Sequence, residues 1–75
     1  MELNPRISIT DTLKQVQDQK LNVEVYLRGG QLFQGKVLDM AENYIVIGHL
    51  LGKDFFDALI RLDDISAISL KTRDK

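Results

Sequence analysis

The sequence predicts a mainly β fold, with one N-terminal α-helix ahead of a five-stranded, strongly bent antiparallel sheet that curls toward a small barrel. Three observations carry this expectation. The spacing of apolar residues changes once, from four and three near the N-terminus to two after residue 22. Connections between the apolar runs are very short, which suits antiparallel neighbours. Finally, Gly35 stands inside a run that otherwise reads as one long strand, where a missing side chain weakens pairing unless the backbone must bend there.

The helix is expected over about residues 9–19. Ile9, Leu13 and Val16 lie four and three apart, with Asp11, Lys14, Gln15, Gln17 and Asp18 between them, so one stripe faces a core. Its polar side mixes acids and bases, which marks a core contact rather than a membrane face. Ser8 followed three residues later by Asp11 resembles a capping box; Thr10 is the alternative N-cap, and Pro5 lies just outside.

The first strand is expected over about residues 22–28, where Val23, Val25 and Leu27 alternate with Glu24, Tyr26 and Arg28. Gly29-Gly30 then supplies the positive φ angles of a tight hairpin turn. A second strand over 31–40 sets Phe33, Gly35 and Val37 inward and Leu32, Gln34, Lys36 and Leu38 outward, with a sharp bend at Gly35. After the polar interruption at 39–43, residues 44–48 form a short β-branched strand that ends at Gly48.

His49 to Asp54 reads as a loop, although Leu50-Leu51 is unusually apolar for one. Strands over about 55–62 and 65–70 complete the set, separated by Asp63-Asp64, whose carboxylates suit a tight turn. In the fourth strand, Phe55 and Leu59 are expected to face a neighbour while Phe56, Ala58, Ile60 and Leu62 pack inward. Residues 71–75 read as a frayed tail, and the whole of 1–75 as a single domain without repeat or linker.

Bulk composition narrows the function classes. The chain has no cysteine, which excludes a disulfide framework, a thiolate metal site and a cysteine nucleophile, and a cytoplasmic location is expected. No apolar run approaches the length needed to span a bilayer, and residues 1–10 lack a signal-peptide layout. A net charge of −1 gives no global attraction to phosphate, so nucleic-acid binding would need a local patch repeated by assembly.

His49 is the sole histidine and has no partner at a spacing that suggests a triad or a metal site. Asp63-Asp64 reads as a turn former rather than a cation ligand. No catalytic residue, metal, cofactor or small-molecule substrate is therefore expected.

The pattern V-x-V-x-L-x-x-G-x-x-x-x-G-x-V, carried here by Val23, Val25, Leu27, Gly30, Gly35 and Val37 and followed by Ile45 and Ile47, resembles the first motif of the Sm and Sm-like (LSm, Hfq-like) family. Residues Ile60 to Ile68 resemble its second motif, and the likeness extends over about residues 8–70. It implies a homo-oligomeric ring, built by edge pairing between the fourth strand of one subunit and the fifth of the next. It also implies binding of short single-stranded RNA without catalysis.

By the same resemblance the RNA contacts fall on the loop from Leu38 to Tyr44 and on Arg61, so Asp39, Asn43, Tyr44 and Arg61 are the candidate residues. An exposed ring at Tyr44 can stack on any base, with the Asn43 amide beside it. A plainer alternative puts Asn43 at a left-handed turn position, lets Tyr44 simply begin a strand, and pairs Arg61 with Asp63 or a neighbouring subunit. Lys71, Arg73 and Lys75 would add positive charge at the tail.

This chain departs from the family pattern in three ways. The ring and amide of Asn43-Tyr44 come in reversed order, the aromatic-Asp pair near Met40-Ala41 is missing, and Leu62-Asp63 replaces the Gly and the Lys-His found in relatives. These departures keep a second function open: a homo-oligomeric structural or protein-interaction module of the same fold that has lost RNA binding.

Overall fold

The computed structural model describes residues 2–72. Helix α1 spans Ile9–Asp18, and the strands are β1 (Asn22–Leu27), β2 (Leu32–Met40), β3 (Tyr44–Gly48), β4 (Ala58–Arg61) and β5 (Ile65–Ser69). A single 3₁₀ turn, Leu62–Asp64, joins the last two.

Ser8 is the N-cap: its Oγ accepts from the Asp11 backbone N–H at 3.1 Å and satisfies one of the free donors of the first turn. At the other end Lys20 adopts φ +56°, with Leu21 N–H donating to Val16 O and Lys20 N–H to Gln17 O, both at 3.1 Å. That is a Schellman closure with lysine in the position glycine usually takes. Lys36 Nζ donates to Lys20 O at 2.8 Å, and Gln17 Nε2 to Leu38 O at 3.2 Å, so both bonds tie the helix to β2. Leu13 and Val16 are buried as expected, but Ile9 is exposed at the first turn. Thr12 takes the buried place instead, its hydroxyl satisfied by Ser8 O at 3.0 Å.

The five strands form one sheet in the order β4-β3-β2-β1-β5. β2 pairs with β1 through its first half and with β3 through its second, and Lys36 belongs to both ladders. The changeover falls at Gly35-Lys36, followed by an irregularity between Val37 and Asp39 that bends the strand further. A Cβ at Gly35 would run into the Gly48 carbonyl oxygen and lie 3.0 Å from Ile47 Cγ2. The missing side chain therefore permits a close backbone approach where the sheet curls.

How far the sheet curls follows from its last connection. Laid flat, the outermost of five strands would lie about 19 Å apart. Here the outermost strands, β4 and β5, are joined by the three residues Leu62–Asp64. The turn is fastened at both ends, Leu62 N–H to Asn43 O at 2.8 Å and Arg28 N–H to Asp64 O at 2.9 Å. Even so, no ladder forms between β4 and β5, so the expected closure stops short and each keeps a free edge. Inside the curl, Val23, Val25, Val37, Ile45, Ile47, Leu50, Ile60 and Ile65 pack with the helix residues as one core.

Two further expectations are corrected. Only Gly30 of the first turn has a positive φ, +92°; the loop is one residue longer than a two-residue turn, with Gly30 N–H on Leu27 O and Leu27 N–H on Gln31 O. The fourth strand begins at Ala58, not 55, because Phe55 has φ +69° and Phe56 N–H turns back to Lys53 O. Phe56 is consequently exposed rather than inward, and Leu62 sits in the 3₁₀ turn. Phe55 and Leu59 are exposed as expected. Lys71 and Thr72 follow β5 outside any strand, while Arg73 and Lys75 lie outside the described residues. Among the described residues no helix is long and apolar enough to cross a membrane.

Candidate functional site

A tight turn builds the first wall of the candidate site. Ala41 N–H donates to Tyr44 O at 2.8 Å and closes the β2–β3 hairpin over Glu42-Asn43. Neither turn residue has a positive φ, so Asn43 does not hold the left-handed conformation that its residue type suggested. Tyr44 then opens β3, and its cross-strand partner is Arg61, the last residue of β4. Facing residues in such a pair bring their Cβ atoms within about 5.5 Å, which puts a phenol ring beside a guanidinium.

The chain leaves β4 at the same point. Leu62 N–H on Asn43 O anchors the 3₁₀ turn against the β2–β3 turn, and Asp63 comes back toward Arg61. Arg61 Nη2 and Asp63 Oδ2 form an ion pair at 3.0 Å with both side chains well exposed. Thr10, from the first turn of α1, completes a groove lined by Glu42, Asn43, Tyr44, Arg61, Leu62 and Asp63.

Three of the four sequence candidates thus meet in one groove. Asp39 does not join them: it lies within β2 opposite Val46, and its Oδ1 accepts from Met40 N–H at 2.8 Å. Thr10 and Glu42 carry no sequence signal for the site. Thr10 reads only as a possible cap, and it reaches the groove because the sheet curls under the helix.

The groove offers an exposed ring face, an amide, two hydroxyl groups, the Glu42 carboxylate and one guanidinium ion-paired with Asp63. That chemistry suits stacking and hydrogen bonding to a flat polar ligand. It contains no pairing of nucleophile and base. Among the described residues no three His, Asp or Glu side chains gather as metal ligands, and His49 lies at the far end of the β3–β4 hairpin.

With this geometry in hand, the chain is similar to a solved protein described as the pleiotropic translational regulator Hfq, whose crystal structure was determined at 1.55 Å. The TM-score is 0.72, at 17% sequence identity, covering 95% of this chain and 100% of that one. The helix followed by a bent five-stranded antiparallel sheet is therefore an Sm-like, Hfq-like fold. No family model matches the sequence, and no curated protein does either.

Proposed function

We propose that this chain is a ring-forming Sm-like protein that acts in the cytoplasm and binds short single-stranded RNA, U- or A-rich, without catalysis. The observation that carries the proposal is the meeting of Tyr44, Asn43 and Arg61 in one solvent-facing groove. Tyr44 stacks on a base, Asn43 hydrogen-bonds a base edge, and Arg61 packs against the base or its phosphate. Support for the ring comes from the free edges of β4 and β5, which one subunit offers to the next. Repetition around a ring multiplies weak single contacts into useful affinity.

The test is a titration of labelled oligo-U and oligo-A across a salt series, with the assembly mass measured in parallel. Micromolar or tighter binding that weakens with salt, and is lost in Tyr44→Ala and Arg61→Ala, is the expected result. No binding at low salt would remove the proposal. One observation favours the second reading, a homo-oligomeric interaction module without RNA: the groove's single guanidinium, Arg61, is already ion-paired with Asp63. An oligomer that binds neither oligonucleotide at low salt is the outcome that reading expects.

A further inference from the structure

The RNA-binding reading gives tasks to Tyr44, Asn43 and Arg61 and leaves one charged group of the same groove without one, the Glu42 carboxylate. Glu42 and Asn43 are the two central residues of the turn that Ala41 N–H closes on Tyr44 O at 2.8 Å. The turn is fastened from outside as well, because Asn43 O accepts from Leu62 N–H at 2.8 Å. Both side chains therefore leave a fixed backbone that adjoins Tyr44. The two carboxylates of the groove differ in what holds them. Asp63 is ion-paired with Arg61 at 3.0 Å, whereas Glu42 makes no ion pair and no side-chain hydrogen bond among the described residues.

An ionised carboxylate only accepts hydrogen bonds, while the Asn43 amide and the hydroxyls of Thr10 and Tyr44 both donate and accept. The groove thus combines one acceptor that cannot change its character with groups that adapt. Nucleobases divide on that acceptor. Adenine, cytosine and guanine carry an exocyclic amino group that can donate to a carboxylate, as the cytosine amino group does to Asp and Glu in base readout. Uracil has no amino group, and its one edge donor, N3–H, lies between the carbonyl oxygens O2 and O4. Seating uracil against Glu42 brings those oxygens to the carboxylate and displaces its water without replacing the hydrogen bonds. Phosphate is repelled from Glu42 by charge, so it is a base edge that meets this side chain.

We propose that Glu42 sets base choice in this groove, accepting from the amino group of a bound base and selecting adenine over uracil. The inference rests on the RNA-binding reading and narrows it from U- or A-rich strands to A-rich ones. Adenine suits the neighbouring groups too. Its N6 amino group adjoins the acceptors N1 and N7, so N6–H donates to Glu42 while the Asn43 amide donates to the ring nitrogen beside it. Its two fused rings also cover more of the Tyr44 ring than a pyrimidine does.

The experiment measures the affinity of the full chain, and of its Glu42→Gln and Glu42→Ala variants, for short labelled oligo-A and oligo-U at low salt. A third strand replaces adenine with purine, which lacks the amino group. Glu42 is exposed at a turn, and unchanged thermal unfolding confirms folded variants. The wild type is expected to bind oligo-A about tenfold or more tightly than oligo-U, within the range that a base-reading side chain supplies. Glu42→Gln, whose amide can also donate to uracil O4, should bring the two within about threefold, chiefly by gaining oligo-U. The ratio cancels the phosphate repulsion common to both strands. Loss of the amino group should weaken wild-type binding about tenfold and leave Glu42→Ala unaffected, which separates the amino contact from stacking. Equal wild-type binding of oligo-A and oligo-U, or a preference that survives unchanged in Glu42→Ala, overturns the inference and leaves the RNA-binding reading standing. Binding of neither strand by any of the three proteins removes both.

Discussion

The two ends of the β3–β4 hairpin expose opposite chemistries although only about 10 Å of paired strand separates them. At one end a tight turn sets Asn43 and Tyr44 beside Arg61 and Asp63, and every backbone bond there is short and local or runs to the adjoining turn. At the other, a long loop holds Leu51, Phe55 and Phe56 outward and is kept in place by a side chain, Leu50, sunk into the core. Hydrogen bonding positions the polar end, whereas the apolar end adds the burial of Leu50 to its backbone bonds. Each should therefore fail to a different kind of substitution.

The largest effect is expected from the element that supports both ends. Gly35→Val drives a side chain into the Gly48 carbonyl, a backbone atom that cannot swing aside, and should destabilise the fold by about 3 kcal/mol or more in urea unfolding. Gly48→Ala should cost less, about 1 kcal/mol. Its obstacles are Leu38 Cδ1 and Cγ and Asp57 Oδ1, all on exposed side chains that can rotate away rather than on backbone.

Next comes the anchor of the apolar end. Leu50→Ala should cost about 2–3 kcal/mol of stability, whereas the same change at its neighbour Leu51 should stay within about 0.5 kcal/mol. If the two were equal in thermal unfolding, the loop would not be held by Leu50.

At the polar end the readout moves from stability to affinity. Tyr44→Ala should weaken oligonucleotide binding by about 1–3 kcal/mol, the range for loss of one stacked base, while the half-exposed ring contributes little to folding. The smallest effect is reserved for Asp63→Asn. The Arg61–Asp63 pair is solvent-exposed, so stability should change by less than about 0.5 kcal/mol. Freed from its carboxylate, Arg61 should bind oligo-U or oligo-A a few-fold more tightly, with a steeper salt dependence. Unchanged affinity would show that the ion pair does not restrain Arg61.

How much of this is legible in the sequence differs between the two ends. The turn at 41–44 and the start of β3 follow from a polar interruption before a β-branched run, so Asn43 and Tyr44 are found without a structure. Arg61 is found from its place in a motif, but its pairing with Tyr44 is a register between strands separated by a nine-residue loop, which no local pattern reports. Asp39 looks equivalent to Asn43 in sequence and is not, because the strand extends through it and its carboxylate folds onto Met40 N–H. The loop end misleads more. Residues 55–62 read as one strand with apolar residues on both faces, yet the chain is still turning at Phe55 and Phe56, downstream of the buried Leu50.

By itself the sequence determined the helix, its cap narrowed to Ser8 or Thr10, the five strands in order, the inward face of β2 and the bend at Gly35, since these depend on residue type and period within a few positions. Tertiary structure alone decided three things: that the curl stops with β4 and β5 unpaired, that Thr10, Tyr44 and Arg61 line one groove, and that Phe56 faces water. Each of these depends on where distant segments meet once the core has packed, and the energy of that meeting is not written in any short stretch of chain.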